Sequence, residues 1–424
     1  MSEKVHPFTI VGAGIIGVTI ALTLQKSGVP VLLLEKDQVG RGASWGNAGH
    51  IATEQVYPVA DPSVLKQLPK MLFDPLGPLR IDWRYLPKLM PWGLKLLGNM
   101  RAQPFNHIHE QLQRLNHAAL PAWKVLCEKW DLHQWVKIEG SLLVAEKEKT
   151  LAALKKHGDI LNAIEVPNRM LSQSALLEMA PALSDSQIGG LFFPDTGHVV
   201  NLSAVIIHLT KAFQQLGGEV REQCEVLEFT PQGDFTLITT NHQDTQGNSH
   251  HSQITTEKVL LSTGAFSKSF AKQLSKIEVP LETERGYHLM LPHETNRLLI
   301  PVSSADRKFI MTPMEEGLRL AGTVEYGGLQ LPPNMKRAQN FIPLASSMLK
   351  EKLDQRDSTQ WMGFRPTICD SLPVIDKVHN CYFAFGHQHL GLTHAAITAE
   401  IIKAMHFNEP LPITCEAFAI NRFQ

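Results

Sequence analysis

The sequence predicts an α/β (α+β) protein in which a discontinuous parallel sheet is joined to an antiparallel sheet, and three patterns support this prediction. A short apolar run at 8–11 is followed by a glycine-rich turn and a helix. A second apolar run at 258–261 also ends in a glycine turn, which predicts that the chain returns to the same sheet. Between 280 and 331, apolar and polar residues alternate as in antiparallel strands.

The turn GAGIIG at 12–17 carries three glycines with separate physical roles. Gly12 allows a tight turn out of the strand, Gly14 lets the backbone approach a pyrophosphate, and Gly17 lets the following helix lie close to the sheet. That helix points its free N–H groups at the phosphates. Glu35 ends the next strand, where a carboxylate binds ribose hydroxyls and disfavours a 2′-phosphate. The unit therefore predicts a Rossmann-like domain that binds an adenine dinucleotide other than NADP.

Charge, cysteine spacing and hydropathy limit which ligands, metals and cell compartments the sequence is compatible with. The chain has 40 basic and 41 acidic residues among 424, so charge attracts neither nucleic acid nor an anionic membrane. Its five cysteines occur singly, which predicts no zinc site and a reducing compartment. No apolar run reaches the roughly 18 residues of a membrane span, and the first strand begins too early for a signal peptide. We expect a cytoplasmic protein without a metal.

The stretch 58–101 is rich in proline, leucine and tryptophan and predicts an insertion. Its segment 85–97 has an amphipathic helical pattern that supports two interpretations. Packing on its own domain is favoured, because prolines interrupt the periodicity. An interfacial helix with lysines on the water side leaves peripheral contact with the inner face of a membrane open.

Other elements follow from periodicity and capping residues. Asn201 is a predicted N-cap for a helix that Gly217 ends. A leucine-rich helical spacing and an alanine-rich segment predict two further helices, and short apolar runs predict strands. The predicted helices are 107–132 and 393–405, and the predicted strands are 140–145, 188–193 and 219–227.

Four separated motifs together resemble the FAD-dependent D-amino acid oxidase superfamily, most closely its bacterial D-amino acid dehydrogenase and D-hydroxyproline dehydrogenase branch. They are GAGIIG with Glu35, SWGNAG at 44–49, GFRPTICDSLPVID at 363–376 and FGHQHLGLTHAA at 385–396. The resemblance implies that the dinucleotide is FAD rather than NAD. We expect an FAD-binding domain from 1–57, 195–275 and 360–424, and a substrate domain from 58–194 and 276–359.

The resemblance also implies which residues bind FAD. Those from 386 onward would lie along the isoalloxazine, where helix amides near Thr393 would stabilise negative charge at N1 and O2 of the reduced ring. The expected FAD-binding residues are Gly12, Gly14, Ile15, Ile16, Gly17, Glu35, Lys36, Arg41, Ser44, Asn47, Ala48, Gly49, Val226, Thr263, Gly264, Gly386, His387, Leu390, Gly391, Leu392 and Thr393.

Three residues are candidates for the substrate site. Arg365 matches the superfamily's GxRP arginine, whose planar guanidinium binds an amino acid carboxylate with two parallel hydrogen bonds. Tyr287 follows Arg285 in a segment similar to the basic-Gly-Tyr segment of the dehydrogenases, although a strand aromatic explains it equally well, and Arg285 is a second candidate for the carboxylate. His50 follows the glycine-rich loop and either lines the pocket or forms an ordinary hydrogen bond.

The resemblance implies oxidation of the CH–NH bond of a D-amino acid by hydride transfer to flavin N5, giving an imino acid without a protein base. Asp376 and His288 depart from the usual dehydrogenase pattern, so a substrate other than D-alanine, including cyclic D-hydroxyproline, stays open. Alternatives are a sarcosine- or glycine-type amine, a 2-hydroxy acid, or a flavin electron-transfer subunit. A quinone or another electron acceptor is a candidate partner.

Overall fold

The computed structural model describes residues 5–243 and 249–424, and it confirms the mixed α/β class. In chain order, the strands are β1 (Val5–Val11), β2 (Val31–Leu34), β3 (His50–Ile51), β4 (Leu79–Ile81), β5 (Val136–Lys137), β6 (Ser141–Ala145), β7 (Arg169–Ser172), β8 (Gly189–Phe193), β9 (Gly197–Val199), β10 (Glu219–Arg221), β11 (Cys224–Gln232), β12 (Phe235–Gln243), β13 (Ser249–Leu261), β14 (Leu281–Leu291), β15 (Val302–Ser304), β16 (Phe309–Met314), β17 (Gly317–Ala321), β18 (Val324–Tyr326), β19 (Thr359–Ile368), β20 (Val374–Val378) and β21 (Cys381–Phe385). The helices are α1 (Ile15–Lys26), α2 (Leu68–Phe73), α3 (Leu86–Asn99), α4 (Ala102–Trp130), α5 (Glu148–Ala163), α6 (Gln173–Met179), α7 (Leu202–Gln215), α8 (Ser267–Ser275), α9 (Lys336–Gln339), α10 (Phe341–Ser346) and α11 (Gly391–Phe407).

The first large sheet has a parallel centre, as the sequence predicts. Strands β10, β2, β1, β13 and β21 pair with one another in parallel, in this order. Antiparallel strands extend the sheet: β12 pairs with β13, β11 with β12, and β20 with β21. The predicted strand 219–227 is wrong in one respect. Gln223 adopts a left-handed φ of 53°, so β10 ends before this residue and β11 begins after it.

Helices α1, α4, α7 and α11 cover one face of this sheet and share one hydrophobic core. Helix α4 begins before the predicted 107–132 and ends at Trp130, because the next residue, Asp131, has a left-handed φ of 50°. Its Trp123 is fully buried, and the indole N–H lies 3.0 Å from the carbonyl oxygens of both Leu392 and Thr393. Although 58–194 was expected to belong to the substrate domain, α4 therefore packs on the first sheet.

The second large sheet is mixed and mainly antiparallel. Its order is β4-β18-β14-β17-β16-β15-β6-β8-β7, with parallel pairs only at β18/β4 and β15/β6 within the described residues, and β19 pairs with β14. Residues 360–368, which the predicted boundaries assign to the FAD-binding domain, lie in this second sheet. The chain therefore crosses between the sheets after Ile368 and before β20, within the longer motif at 363–376.

The insertion folds over one end of the second sheet. In α3, Leu89 and Trp92 are buried, and the Trp92 ring lies 5.4 Å from that of Tyr326. On the opposite side of the helix, Leu94 is 62% exposed. Packing explains the buried side of α3, while peripheral membrane contact by its exposed side stays a prediction. None of the helices in the described ranges is long and apolar enough to cross a bilayer.

We expect Trp123→Ala to reduce the free energy of unfolding by about 3–5 kcal/mol, because it leaves a cavity in the core and removes the donor that binds the start of α11. Chemical denaturation followed by circular dichroism measures this loss. Val125→Ala, on the same helix but 62% exposed, is the control and should change stability by less than about 0.5 kcal/mol. Equal effects of the two substitutions would contradict the core role of Trp123.

Candidate active site

A cavity of about 1790 Å³ lies between the two sheets. It runs from the glycine turn after β1, past the loop at 41–48, to the face of β14 and β19. This volume exceeds the roughly 300–1,000 Å³ of ordinary small-molecule pockets. The cavity therefore has room for an extended cofactor together with a reactant.

Two positions of the turn after β1 require glycine, because a side chain there would collide with the backbone. Gly12 has φ of 100°, and a Cβ there would lie 2.6 Å from the carbonyl oxygen of Ser262. A Cβ on Gly17 would collide with the carbonyl oxygen of Gly12. The turn thus brings the N-terminus of α1 to the wall of the cavity, where its free N–H groups favour an anion.

Glu35 and Ser44 support this turn. Glu35 Oε2 accepts a hydrogen bond from the Ala13 amide at 2.8 Å, and Oε1 accepts one from the Asp37 amide at 3.1 Å. Burial raises the pKa of Glu35, against the effect of these two amides. Ser44 Oγ accepts a hydrogen bond from the Ile15 amide at 3.0 Å. The carboxylate that the sequence assigns to a ribose thus also braces the turn, and the ribose contact stays a prediction.

Side chains of the second sheet form hydrogen bonds to the backbone of the SWGNAG loop. The buried guanidinium of Arg319 donates a 2.6 Å hydrogen bond to the Asn47 carbonyl oxygen. His288 Nδ1 lies 3.0 Å from the carbonyl oxygen of Gly46, where a Cβ would collide with the Trp361 ring. Burial lowers the pKa of His288 to about 3 and that of Arg319 to about 10. The sequence patterns did not reveal these supports, because their contacts are distant along the chain.

The start of α11 forms another wall. This helix begins at Gly391, two residues before its predicted start, and its Thr393 Oγ1 accepts a hydrogen bond from the Ala52 amide at 2.9 Å. His387 Nε2 lies 3.1 Å from Thr398 Oγ1, and burial lowers the His387 pKa to about 3. The N-terminus of α11 therefore reaches the cavity beside a neutral histidine.

Most of the expected FAD-binding residues line this one cavity. Gly17, Gly49, Leu390 and Thr393 do not line it. The cavity-lining members are Gly12, Gly14, Ile15, Ile16, Glu35, Lys36, Arg41, Ser44, Asn47, Ala48, Val226, Thr263, Gly264, Gly386, His387, Gly391 and Leu392. Two helix N-termini, a glycine turn and a long cavity fit an extended dinucleotide, while each individual FAD contact stays a prediction.

The register of β14 and β19 determines which side chains share the cavity face. Arg365 pairs with Glu284, and Trp361 pairs with His288, so these four point to one side of the sheet. A Cβ on Gly286 would lie 2.5 Å from Arg365 Cζ, so the guanidinium lies directly over this glycine.

Arg365 is half-buried and has few protein partners for a cation in that position. Its Nη1 donates to the Thr323 carbonyl oxygen at 3.1 Å. Burial lowers the pKa of Arg365, against the effect of the nearby Glu284. Glu284 accepts a 2.9 Å hydrogen bond from the Tyr326 hydroxyl, and burial raises its pKa. Sequence analysis missed both Glu284 and Tyr326.

Tyr287 lies on the other side of the sheet from Arg365, because it pairs with Met362. It belongs to the core of the second sheet; its hydroxyl donates to Glu325 and accepts from the Asn334 amide. Burial raises its pKa to about 12. This agrees with the interpretation of Tyr287 as a strand aromatic. Tyr287 also lines the cavity, so its contact with a substrate stays a prediction.

Arg285, the other candidate for the carboxylate, is 1% exposed and has its own set of acceptors. Its guanidinium donates to the carbonyl oxygens of Gly327, Gly328, Leu331 and Pro332. These four carbonyls lie in the segment that follows β18. The role that remains for Arg285 is structural.

His50 reaches the cavity in β3, beside residues that no motif revealed. Its Nδ1 lies 3.8 Å from Glu54 Oε1, and burial lowers the His50 pKa to about 4. His389 Nε2 lies 2.6 Å from Gln55 Oε1, and the His389 pKa is lowered to about 4, mainly by burial and also by the charge of Arg365. The loop after β3 and the loop before α11 therefore bring these polar groups together.

Comparison with known proteins agrees with this geometry. The family model described as "FAD dependent oxidoreductase" (DAO) matches residues 8–405. The chain is 28% identical to a D-amino-acid oxidase from Bradyrhizobium diazoefficiens, with 100% of both chains covered. It is 25% identical to a D-amino acid dehydrogenase from Vibrio atlanticus, over 98% of this chain and 99% of that one.

Solved structures show the same fold at lower identity. A glycine oxidase from Geobacillus kaustophilus aligns with a TM-score of 0.74 and 18% identity, covering 98% of each chain. An L-proline dehydrogenase from P. horikoshii aligns with a TM-score of 0.72 and 18% identity, covering 99% of this chain and 98% of that one.

We expect Gly12→Ala to yield protein with little or no bound FAD, because a Cβ would strain a left-handed backbone and press on Ser262 at the pyrophosphate turn. Visible flavin absorbance relative to protein absorbance measures the loss. Gly98→Ala is the control, since a Cβ at Gly98 meets open space. A Gly12→Ala protein with full flavin content would refute the role assigned to the turn.

Thermal stability should fall as pH decreases from about 6.5 towards about 4. Burial lowers the pKa values of His50, His387, His389 and His394, so the unfolded chain binds protons in this range that the folded chain does not. The raised pKa values of four buried carboxyl groups act in the opposite direction, but in the described part of the chain eight histidines have lowered pKa values. The four are Glu35, Glu54, Glu282 and Glu284. Thermal unfolding at a series of pH values tests this, and an unchanged or rising midpoint at acid pH would contradict it.

Proposed function

The chain belongs to the DAO family of FAD-dependent oxidoreductases, and on this premise we propose that it oxidises the CH–NH bond of a D-amino acid to an imino acid. FAD is the cofactor, and it supplies the two-electron oxidation. The observation that carries the proposal is Arg365, a guanidinium on the cavity face of β19. The curated relatives named D-amino acid oxidase and D-amino acid dehydrogenase support the D configuration.

Arg365 can bind a carboxylate with two parallel hydrogen bonds. Only the Thr323 carbonyl oxygen accepts a hydrogen bond from it among the described residues, so Nε and Nη2 remain available. Gly286 leaves space beneath the guanidinium, and Glu284 with Tyr326 lies close enough to influence its charge. A fixed planar fork orients an amino acid as well as attracting it. The Cα–H bond would thereby be held at one position relative to the cofactor.

The start of α11 is suited to stabilising negative charge that develops on the cofactor. Its first-turn N–H groups lie at the cavity beside Gly391 and Leu392. Backbone donors that are already oriented cost no reorganisation during reaction. Positioning and electrostatics thus contribute to the catalysis expected from this site.

The electron acceptor is part of the proposal. Met90, Leu94 and Leu97 of α3 line the cavity and are also substantially exposed, which supports access by an apolar acceptor such as a quinone or contact with a membrane face. A cyclic substrate such as D-hydroxyproline stays within the proposal, because the wide cavity does not restrict the reactant to a small amino acid.

The substrate class is tested by anaerobic flavin bleaching with matched panels of D- and L-amino acids, secondary amines such as sarcosine, and 2-hydroxy acids. We expect bleaching by D-amino acids. Bleaching only by L-amino acids, by sarcosine or by a 2-hydroxy acid would overturn the proposal.

We expect Arg365→Ala to lower kcat/KM for the active D-amino acid by about 10²-fold or more, since it removes the partner of a desolvated carboxylate. Arg365→Lys should recover only part of this, because an ammonium cannot form the planar fork. Arg356→Ala, at an exposed ion pair with Asp354, is the control. An unchanged kcat/KM in Arg365→Ala would reject the carboxylate assignment.

A further inference from the structure

The cavity wall contains a carboxyl group that the proposed function does not yet use. Glu54 follows β3 and lines both the large cavity and a second pocket of about 270 Å³. The second pocket lies between the segment after β3, helix α4 and the ends of neighbouring strands. Its polar lining residues are Thr53, Asn116, His117, Lys124, Glu165, Asp195 and Thr196. Glu54 therefore lies at the boundary between the two pockets.

The Glu54 carboxylate has few hydrogen-bond donors and no ion-pair partner from lysine or arginine among the described residues. Its Oε2 is buried and has no hydrogen-bond partner among the residues that the structure describes. No lysine or arginine in the described ranges forms an ion pair with it, and the neighbouring group is His50 Nδ1, 3.8 Å from Oε1. His50 Nε2 is likewise buried without a partner among those residues. A cationic group on a reactant would supply the missing partner of the Glu54 carboxylate, just as Arg365 would be the partner of the reactant's carboxylate.

Two positions in the cavity therefore match the two ends of an amino acid. Arg365 is the basic position, and its charge, after burial, lowers the pKa of His389, whose Nε2 lies 2.6 Å from Oε1 of Gln55, the residue after Glu54. The acidic end is Glu54, beside His50. Both groups line the same cavity, so an amino acid there has a cationic partner for its carboxylate and a carboxylate partner for its ammonium group.

Glu54 is the member of this group that changes charge near neutral pH. Burial raises its pKa to about 7, against hydrogen bonds from its own amide and the Gln55 side chain. Burial lowers the pKa values of His50, His198 and His389 to about 4, so these histidines are neutral at pH 7. The other titratable groups around Glu54 line the second pocket and are His117, Lys124, Glu165 and Asp195.

We propose that the Glu54 carboxylate takes a proton from the ammonium group of the bound amino acid and passes it to solvent through the second pocket. This rests on the proposed function, since Arg365 must hold the other end of the reactant. One N–H bond breaks, one O–H bond forms on Glu54, and the electron pair stays on nitrogen. The neutral amine then has the lone pair that loss of a hydride from Cα requires, and FAD would supply the two-electron oxidation. Glu54 loses its proton to water before the next turnover.

The pH dependence of Glu54→Gln tests the relay. Holoenzyme is mixed anaerobically with the D-amino acid that reduces it best, and kcat/KM for flavin reduction is measured from about pH 6 to about pH 10. The wild type should show an increase through about pH 7, where Glu54 ionises. Glu54→Gln should lack this increase, be about 10²-fold slower near neutral pH, and approach the wild type at high pH, where the substrate arrives as the free amine.

Two variants control this experiment. Glu54→Asp should restore the ionisation and part of the rate. Glu178→Gln removes an exposed acid of α6 and should follow the wild type at every pH. Flavin content and the thermal midpoint of each variant establish that it is folded.

A structural role for Glu54 would lower the rate by the same factor at every pH, and that result would overturn the relay, as would a Glu54→Gln profile equal to the wild type. If Glu54→Gln does not fold, a wild-type profile without an ionisation near pH 7 overturns it. Failure of the proposed function looks different: no D-amino acid then bleaches the wild-type flavin, or Arg365→Ala keeps full activity.

Discussion

The antiparallel ladder between β14 and β19 is the constraint on which the reactant pocket depends. It aligns Arg365 with Glu284 and Gly286 with Gly363. One face of the sheet therefore carries two charged side chains next to two glycines that have none. Because side chains alternate along a strand, a shift of one residue would turn the guanidinium into the apolar core behind the sheet. Extensive backbone pairing therefore determines the chemistry of a few side chains.

The sequence was a good guide wherever a feature is encoded by neighbouring residues. The glycine turn, the Asn201 cap that accepts from the Ala204 amide, and helix α11 each rest on a few adjacent positions. The family resemblance added FAD, which the family match confirms. The assignment of individual residues to FAD or substrate contacts stays a prediction.

Features created by tertiary contact were not predictable in this way. Arg285 finds its acceptors 42 to 47 residues along the chain, and Arg319 contacts a loop 272 residues away. Glu54 is an ordinary acid in sequence, and only folding brings it between two pockets. Sequence periodicity also misjudged 219–227, because a left-handed residue interrupts an otherwise strand-like run.

Buried charge in this protein is compensated unevenly. Arg285 is satisfied by carbonyl oxygens, which stabilise a cation without an acid partner. Arg365 and Glu54 keep unfilled hydrogen-bonding capacity within the cavity. A protein keeps such groups at a cost in stability, and perturbed ionisable groups of this kind concentrate at functional sites.

The hydrogen bonds from Arg319 and His288 to the SWGNAG loop have a thermodynamic consequence. The two sheets meet through the same loop that the coenzyme is expected to occupy, so cohesion between the halves and coenzyme affinity are linked quantities. Saturation with FAD should make the halves behave as one cooperative unit, whereas the flavin-free chain should be the more easily cleaved by proteases at their junction.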